Sequence, residues 1–223
     1  MATHTRLEVL TAMFDIGFIP LFHHPDPQVA IKVIQACAAG GAKVVEFTNR
    51  GDFAIDVFKA AKQHFLRVDP SIILGAGSVN DPAAASLFIM YGADFIVSQV
   101  LCPDVARVCN RRKIPYSPGC STLTELQTAE ELGCELPKIF PGDLLKPSFV
   151  KAIKGPSPWT TVLVTGGVEP TKESITAWIK AGASVLGMGS KLISKEIIEK
   201  KDYPAITQTV RQVIQHIQEA RGQ

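Results

Sequence analysis

The chain has 223 residues, of which 46% are hydrophobic and 20% are charged, and its net charge at pH 7 is +2. This composition is typical of a soluble globular protein with a substantial core. The small net charge and the lack of a basic tract with interleaved aromatic residues argue against a nucleic-acid or membrane-surface partner. The first residues carry no long apolar stretch, and no apolar run reaches membrane-spanning length, so we expect no signal peptide and a cytoplasmic protein.

Short runs rich in β-branched and aromatic residues alternate along the chain with amphipathic stretches of helical length. Eight strands are predicted, at 18–22, 43–48, 71–75, 94–98, 114–117, 136–141, 160–165 and 184–188. Each is followed by a predicted helix, at 27–39, 53–64, 82–91, 103–110, 123–132, 147–153, 170–181 and 205–220. Three helix starts carry a capping residue or a proline, at Asp81-Pro82, Ser121-Thr122 and Glu169-Pro170.

Eight βα units in one continuous chain favour an α/β fold of the closed (β/α)₈ type, the TIM barrel. An open doubly wound sheet is the structural alternative. No linker or low-complexity segment interrupts the pattern, so we expect residues 1–223 to form a single domain. Residues 6–16 precede the first strand and predict an additional helix that covers the barrel bottom. A barrel of this kind carries its chemistry at the carboxyl ends of its strands.

Lys138 is a lone ammonium inside the apolar sixth predicted strand. Burying a charge without a partner is costly, so this lysine should either pair with a carboxylate or lose its proton. Desolvation favours the neutral amine, which is the nucleophile that condenses with a ketone to form a Schiff base. The alternative is that this strand lies at an edge and that Lys138 points to water.

Glu46 and Thr48 alternate with apolar residues in the second predicted strand, and Arg50 follows at its end. The alternation places both side chains on one face. Even-numbered strands contribute to common layers inside such barrels, so we expect Glu46 to meet Lys138 in the interior. A buried ion pair with a purely structural role is the alternative.

Two glycine clusters end the last two predicted strands, Thr165-Gly166-Gly167 and Gly187-Met188-Gly189-Ser190. Phosphate sites in these barrels commonly use the loops after strands 7 and 8, where backbone N–H groups approach an anion. We therefore expect these loops to bind a phosphate group. A side chain at position 167 would then occupy the space that the phosphate needs. The alternative is that the glycines are present only because the turns require them. Gly75-Ala76-Gly77-Ser78, after the third strand, lacks the spacing of a dinucleotide-binding loop.

The five cysteines are widely spread and form no C-x-x-C pair: Cys37, Cys102, Cys109, Cys120 and Cys134. This pattern argues against a disulfide framework and a structural zinc site, and favours small apolar residues in a reducing compartment. Cys120 follows a predicted strand end, but a catalytic thiol there is disfavoured. His23 and His24 end the first strand on opposite faces, so we expect no metal ion, although one of them could touch a substrate.

Four segments together resemble the 2-keto-3-deoxy-6-phosphogluconate / 4-hydroxy-2-oxoglutarate aldolases, and they occur in order between about Gly17 and Ile193. These segments are Val45-Glu46-Phe47-Thr48-Asn49-Arg50, Gly75-Ala76-Gly77-Ser78-Val79, Lys138-Ile139-Phe140-Pro141 and Thr165-Gly166-Gly167. The resemblance implies a (β/α)₈ barrel, a homotrimer, catalysis without a metal or other cofactor, and a place in the Entner–Doudoroff pathway. The implied reaction cleaves a 2-keto-3-deoxy sugar acid to pyruvate and an aldehyde.

The same resemblance implies roles for individual residues. Lys138 would form the Schiff base with the substrate ketone, and Glu46 would be the general acid/base. Arg50 and Ser78 would hold the pyruvyl carboxylate. The remaining residues implied to bind substrate are Gly166, Gly167, Gly189 and Ser190, at a distal phosphate, and also Thr48 and Thr165.

The chain departs from the family pattern at several positions in the implied pocket wall. Asn49 and Gly51 flank the arginine where the family has leucine and threonine, Ser98-Gln99-Val100 replaces Ser-Pro-Gly, and Gly142-Asp143 replaces Ala-Glu. These changes leave the residues of the Schiff-base chemistry in place. Two other functions stay open: a phosphate-binding isomerase or synthase on the same barrel, and a non-catalytic binder of sugar-acid phosphates.

Overall fold

The structure is a computed structural model that describes residues 2–222. Within these residues the strands are β1 Phe18–Phe22, β2 Val44–Thr48, β3 Ile73–Gly77, β4 Ile96–Val97, β5 Tyr116–Ser117, β6 Gly119–Cys120, β7 Lys138–Ile139, β8 Leu163–Thr165 and β9 Val185–Met188. The helices are α1 Arg6–Ile16, α2 Pro27–Ala39, α3 Ala54–Val68, α4 Pro82–Met90, α5 Pro103–Arg112, α6 Leu123–Glu131, α7 Gly142–Lys154, α8 Lys172–Ala181, α9 Lys195–Glu199 and α10 Tyr203–Arg221.

The strands form one parallel sheet in the order β5-β4-β3-β2-β1-β9-β8-β7-β6. The two outer members of this order, β5 and β6, are consecutive in the chain and are separated only by Pro118. β5 is the end of the fifth predicted strand, 114–117, whereas β6 lies beyond the predicted end. Proline has no backbone N–H, which interrupts the strand at Pro118, and β5 and β6 bond to β4 and β7 respectively. The sheet therefore curls into a nearly closed barrel with helices between its strands. The predicted TIM barrel is confirmed, and the open-sheet alternative is wrong.

The bottom of the barrel is closed by α1, as predicted. Its buried residues Val9 and Met13 belong to one apolar cluster with Phe95 and with residues at the starts of the strands. A Cβ at Gly75 would lie 2.4 Å from the Phe95 ring, so glycine leaves the space that this ring fills. The third strand runs through Gly75 to Gly77, two residues beyond the predicted end, and stays paired with β2 as far as Thr48.

The boundaries of α7 and α8 differ from the predictions. Asp81 and Thr122 cap α4 and α6 as expected, but α8 begins at Lys172, two residues after Pro170, with Thr171 as its cap. A break at Lys146 divides α7, because the residue before a proline avoids helical geometry, and only its second part was predicted. The short helix α9 was not predicted. No helix within residues 2–222 is long and apolar enough to cross a membrane.

A buried ion pair at the barrel bottom was not predicted. Lys62 of α3 lies with its Nζ 2.5 Å from Oδ2 of Asp94, and both side chains are buried. Asp94 also accepts hydrogen bonds from the backbone N–H groups of Leu74 and Thr3, each at 2.9 Å. Since these contacts join α3, β3 and the N-terminal segment, we infer that this pair stabilises the fold.

Replacing Lys62 with Met should lower the free energy of unfolding by about 3–5 kcal/mol, because it leaves the Asp94 carboxylate buried without its cation. Lys43→Met is the matched control: its amine lies 4.0 Å from Asp69 on an exposed surface, where a pair contributes at most about 1 kcal/mol. Urea unfolding of both variants measures the difference. A Lys62→Met variant no less stable than Lys43→Met would contradict this role.

Candidate active site

A cavity of about 620 Å³ opens at the carboxyl ends of the strands. It is the place where this barrel architecture carries its chemistry. The structure places all ten predicted site residues in its wall: Glu46, Thr48, Arg50, Ser78, Lys138, Thr165, Gly166, Gly167, Gly189 and Ser190. They belong to β2, β3, β7, β8 and β9 or to the loops that follow these strands, so the fold brings together residues that are far apart in the chain.

Unpaired polar atoms are concentrated around this cavity. Among residues 2–222, six buried side-chain polar atoms lack a hydrogen-bond partner, and four of them belong to residues that line it: His23 Nδ1, Glu46 Oε2, Gln99 Oε1 and Thr165 Oγ1. The other two, on His4 and His216, lie 3.5 and 3.9 Å from carboxylate oxygens. Buried polar groups are almost always paired, so this concentration indicates a site built for a polar ligand.

Lys138 lies in β7 between β6 and β8, and its side chain reaches the cavity. The residue is only 7% exposed, so the edge alternative is wrong. Burial lowers the pKa of Lys138; Glu46 partly opposes this shift, and Arg50 adds to it. No ion pair within 4.0 Å involves Lys138 in the described chain. Its surroundings therefore favour a neutral, nucleophilic amine.

Glu46 lies in β2 with its carboxylate against β3. A Cβ at Gly77 would lie 1.7 Å from Glu46 Oε1, so glycine there makes the room that the carboxylate occupies. Burial raises the pKa of Glu46, and the positive charges of Lys138 and Arg50 oppose the shift. Within residues 2–222 its oxygens come no nearer than 4.0 Å to the Lys138 amine. The structural ion pair considered above is therefore not formed, and the gap leaves room for a reacting group.

Arg50 and Ser78 lie on the same side of the cavity as Glu46, after the ends of β2 and β3. Arg50 is exposed and has no acidic partner within 4.0 Å in the described part of the chain, so its charge is available to an anion. Ser78 holds a left-handed backbone conformation at φ 58°, directly after Gly77. The Thr48 hydroxyl is less available to a ligand than its position suggests, because it donates a hydrogen bond to the Phe22 carbonyl at 3.2 Å.

The glycine loop after β8 packs against the start of α7. Gly166 and Gly167 have φ values of 86° and 68°, a region that favours glycine. A Cβ at Gly167 would lie 2.7 Å from the Asp143 Cα, so a side chain there would collide with α7. The expectation that it would occupy phosphate space is therefore wrong. Gly142, at the start of α7, packs closely against the same loop, because a Cβ at this position would lie 2.4 Å from the Gly166 carbonyl oxygen.

Comparison with known proteins identifies the family. The model of the KDPG and KHG aldolase family matches residues 11–209. The chain belongs to the KDPG and KHG aldolase family. The KHG/KDPG aldolase of Escherichia coli K12 is 30% identical to it over 188 residues, which is 83% of this chain and 85% of that one. The 2-dehydro-3-deoxy-6-phosphogalactonate aldolase of the same organism is 36% identical over 125 residues, or 54% of this chain and 58% of that one.

A solved structure shares the fold closely. The crystal structure of KDPG aldolase from Legionella pneumophila, with pyruvate captured at low pH as a covalent carbinolamine intermediate, is 25% identical, with a TM-score of 0.83. The similarity covers 94% of this chain and 98% of that one. Membership in this family makes the chain an aldolase, a carbon–carbon lyase.

Several cavity residues of this aldolase were missed or given no role by the sequence analysis. Lys191, Lys195 and Glu199 reach the mouth from the loop after β9 and from α9, and Lys191 pairs with Glu169 at 3.2 Å. The only sequence feature that could have indicated these residues is the position of Lys191 directly after the Gly189-Ser190 loop. His23 lines the cavity, and burial lowers its pKa, which favours a neutral imidazole at pH 7.

Cysteine and metal chemistry find no support at this cavity. Cys120 does not line it, and burial raises the pKa of its thiol to about 12. A thiol with that pKa carries almost no thiolate at pH 7. No group of three His, Cys, Asp or Glu side chains lies close enough to hold a metal ion in the described part of the chain.

Proposed function

We propose that this aldolase cleaves 2-keto-3-deoxy-6-phosphogluconate to pyruvate and glyceraldehyde 3-phosphate through a Schiff base on Lys138. The observation that carries the proposal is a buried lysine without a carboxylate partner in the wall of the cavity, with a buried glutamate facing the same space. The names of the similar aldolases support this substrate class. Cleavage of 4-hydroxy-2-oxoglutarate to pyruvate and glyoxylate is a second proposed activity.

The Lys138 amine attacks the C2 ketone of the substrate, and loss of water leaves a protonated imine. This cation withdraws electrons from the C3–C4 bond, which breaks to give an enamine of pyruvate and a free aldehyde. Glu46 takes the proton of the C4 hydroxyl as that bond breaks, directly or through a water, and later returns a proton to the enamine. Its raised pKa suits a group that must both accept and donate a proton.

The two ends of the substrate lie against different walls in this proposal. Arg50 and Ser78 hold the pyruvyl carboxylate, and Gly166, Gly167, Gly189 and Ser190 hold the phosphate with their backbone N–H groups. Thr48 and Thr165 complete the binding surface. The unpartnered Thr165 hydroxyl supports a hydrogen-bonding ligand on this side.

Gly142→Ala, which introduces the residue usual in the family, should raise the KM for the phosphorylated substrate about tenfold, or ~1.4 kcal/mol. The new Cβ would push on the Gly166 carbonyl and displace the phosphate loop. The kcat/KM for 4-hydroxy-2-oxoglutarate should fall much less. Gly155→Ala is the control, because the nearest atom to its Cβ lies 3.7 Å away. An equal loss of kcat/KM on both substrates would contradict phosphate binding by this loop.

The proposed function is tested by following pyruvate release from 2-keto-3-deoxy-6-phosphogluconate with lactate dehydrogenase and NADH. Rapid pyruvate formation is expected. An isomerase or synthase of the same fold would bind phosphate without needing Lys138, and a non-catalytic binder would release no pyruvate. Binding of the phosphorylated acid without any turnover would therefore favour the binder.

The remaining parts of the proposal concern assembly and context. We propose that residues 1–223 act as one catalytic domain, that three copies associate into a homotrimer, and that the enzyme works in the cytoplasm on the Entner–Doudoroff pathway without a metal or other cofactor. The family resemblance supports these statements. Light scattering of the purified protein measures its oligomeric state, and dialysis against EDTA should leave its activity unchanged.

A further inference from the structure

Gln99 lines the cavity, and neither the sequence analysis nor the proposed mechanism gives it a role. It follows β4 and stands where the resembling family has proline. Its Oε1 is buried without a hydrogen-bond partner in the described chain, like the Glu46 oxygen that the mechanism uses. A buried amide carbonyl left unpaired costs roughly 1–3 kcal/mol, so a ligand that supplies a donor would recover that cost.

The position of Gln99 relative to Lys138 is fixed by β6. A Cβ at Gly119 would lie 2.2 Å from the Gln99 carbonyl oxygen, so the Gln99 backbone packs directly on this strand. Gly119 in turn is the register partner of Lys138 in β7. On the other side, β4 neighbours β3, which ends at Gly77 and is followed by Ser78. Gln99 therefore lies between the lysine that bonds C2 in this proposal and the serine that we assign to the pyruvyl carboxylate.

Hydrogen bonds hold the Gln99 loop in place on both sides. The Ser98 hydroxyl lies 2.6 Å from the Tyr116 hydroxyl and donates to the Val100 carbonyl at 2.5 Å. The backbone N–H of Cys102 donates to the Tyr116 hydroxyl at 3.3 Å. Because the residues before and after Gln99 are tied to β5, its backbone is held at a defined place beside the cavity.

We infer that the Gln99 side-chain carbonyl accepts a hydrogen bond from the C2 hydroxyl of the carbinolamine that forms on Lys138. This inference rests on the proposed function, since a carbinolamine requires condensation at that lysine. Lys138 Nζ bonds to C2 while its proton passes to the ketone oxygen, which becomes the C2 hydroxyl. The C2–O bond then breaks as this oxygen takes a proton from Glu46, water leaves, and the protonated imine remains.

A carbonyl acceptor at the position of Gln99 would assist the loss of water from the carbinolamine. Accepting the O–H hydrogen bond points that hydrogen away from Glu46 and leaves an oxygen lone pair free for the incoming proton. Gln99 thereby orients the leaving water, while its neutral amide adds no charge that would oppose the substrate carboxylate. The consequence is faster imine formation at saturating pyruvate, with little effect on pyruvate affinity.

The test compares Gln99→Met, which keeps the size but removes the acceptor, with Gln99→Glu, which keeps an acceptor. Each protein is mixed with pyruvate, quenched with borohydride after timed intervals, and analysed by intact mass for the reduced adduct. In Gln99→Met the maximal rate of adduct formation should fall roughly three- to tenfold, the effect of one hydrogen bond. Gln99→Glu should recover most of that rate but need more pyruvate for half-maximal rate, because its charge repels the pyruvate carboxylate.

A wild-type maximal rate in Gln99→Met, or equal slowing in both variants, would overturn the inference. Gln99→Ala is the second variant if Gln99→Met does not fold, with thermal melting as the check, and it should be slow as well. Failure of the proposed function is distinguishable, because wild-type protein would then form no adduct on Lys138 under any condition.

Discussion

Borohydride added in the presence of pyruvate should attach one reduced pyruvyl group to the protein, on the peptide that contains Lys138. The reason is that Lys138 is a buried lysine without a carboxylate partner, and burial lowers its pKa. Lys62 is an internal control, because it is equally buried but its amine lies 2.5 Å from Asp94. Peptide mass mapping after reduction distinguishes the two, and Lys62 should stay unmodified.

The adduct should also form at a lower pH than an exposed lysine would allow. A lysine with its ordinary pKa of 10.5 is almost fully protonated at pH 7, whereas a lowered pKa increases the fraction of neutral amine. The rate of trapping should therefore rise with pH and level off before the pKa of an ordinary lysine. An adduct on Lys146 or Lys151, or none at all, would contradict the assignment. Lys138→Arg should be inactive, since a guanidinium stays protonated.

The barrel could be predicted from the sequence because its signal is repeated eight times. Alternating apolar runs and helical stretches follow from strands that are buried on both faces and covered by helices. The length of individual strands could not be predicted in the same way. β4, β5, β6 and β7 have only two residues each, and the break at Pro118 depends on which neighbouring strand β5 and β6 each bond to. That choice is a property of the closed barrel rather than of the local sequence.

Glycines in strands caused the largest differences at the site. Gly77 was expected to follow the third strand, yet it lies in β3, where Glu46 fills the space that its side chain would take, as Phe95 does at Gly75. At Gly167 the sequence indicates correctly that a side chain is excluded, but the excluding group is Asp143 in α7. In each case the deciding contact comes from another part of the chain, which local patterns do not contain.

The candidate site was predictable as a set of residues because strand ends converge in a barrel. Glu46, Lys138 and the glycine loops were placed by counting strands, and the structure brings them to one cavity. The mouth residues of α9 were not predictable, since this short helix has no amphipathic pattern of its own. The distance between the Glu46 and Lys138 side chains could not be predicted either, because it depends on how Glu46 packs against Gly77.

Glu46→Gln should lower the rate of retro-aldol cleavage by about 10²–10⁴-fold, the usual effect of removing a general base. Glutamine keeps the shape and hydrogen-bonding capacity of glutamate but cannot take the C4 proton. The imine with pyruvate should still form, although more slowly, because proton transfers also accompany that step. Steady-state cleavage and borohydride trapping, measured on the same preparation, separate the two effects. Glu196→Gln, at an exposed carboxylate outside the cavity, should cleave at the wild-type rate.

The loss in Glu46→Gln should not come from unfolding. Burial raises the pKa of Glu46, so the stability associated with its protonated form is present below its ordinary pKa of 4.5 and is lost as pH rises through the raised pKa. At pH 7 a neutral glutamine avoids that cost, and the melting temperature should be equal to or above that of wild type. A variant that melts normally, forms the pyruvate imine and fails to cleave the sugar acid identifies Glu46 as the proton-transfer group. A near-normal cleavage rate would remove it from the mechanism.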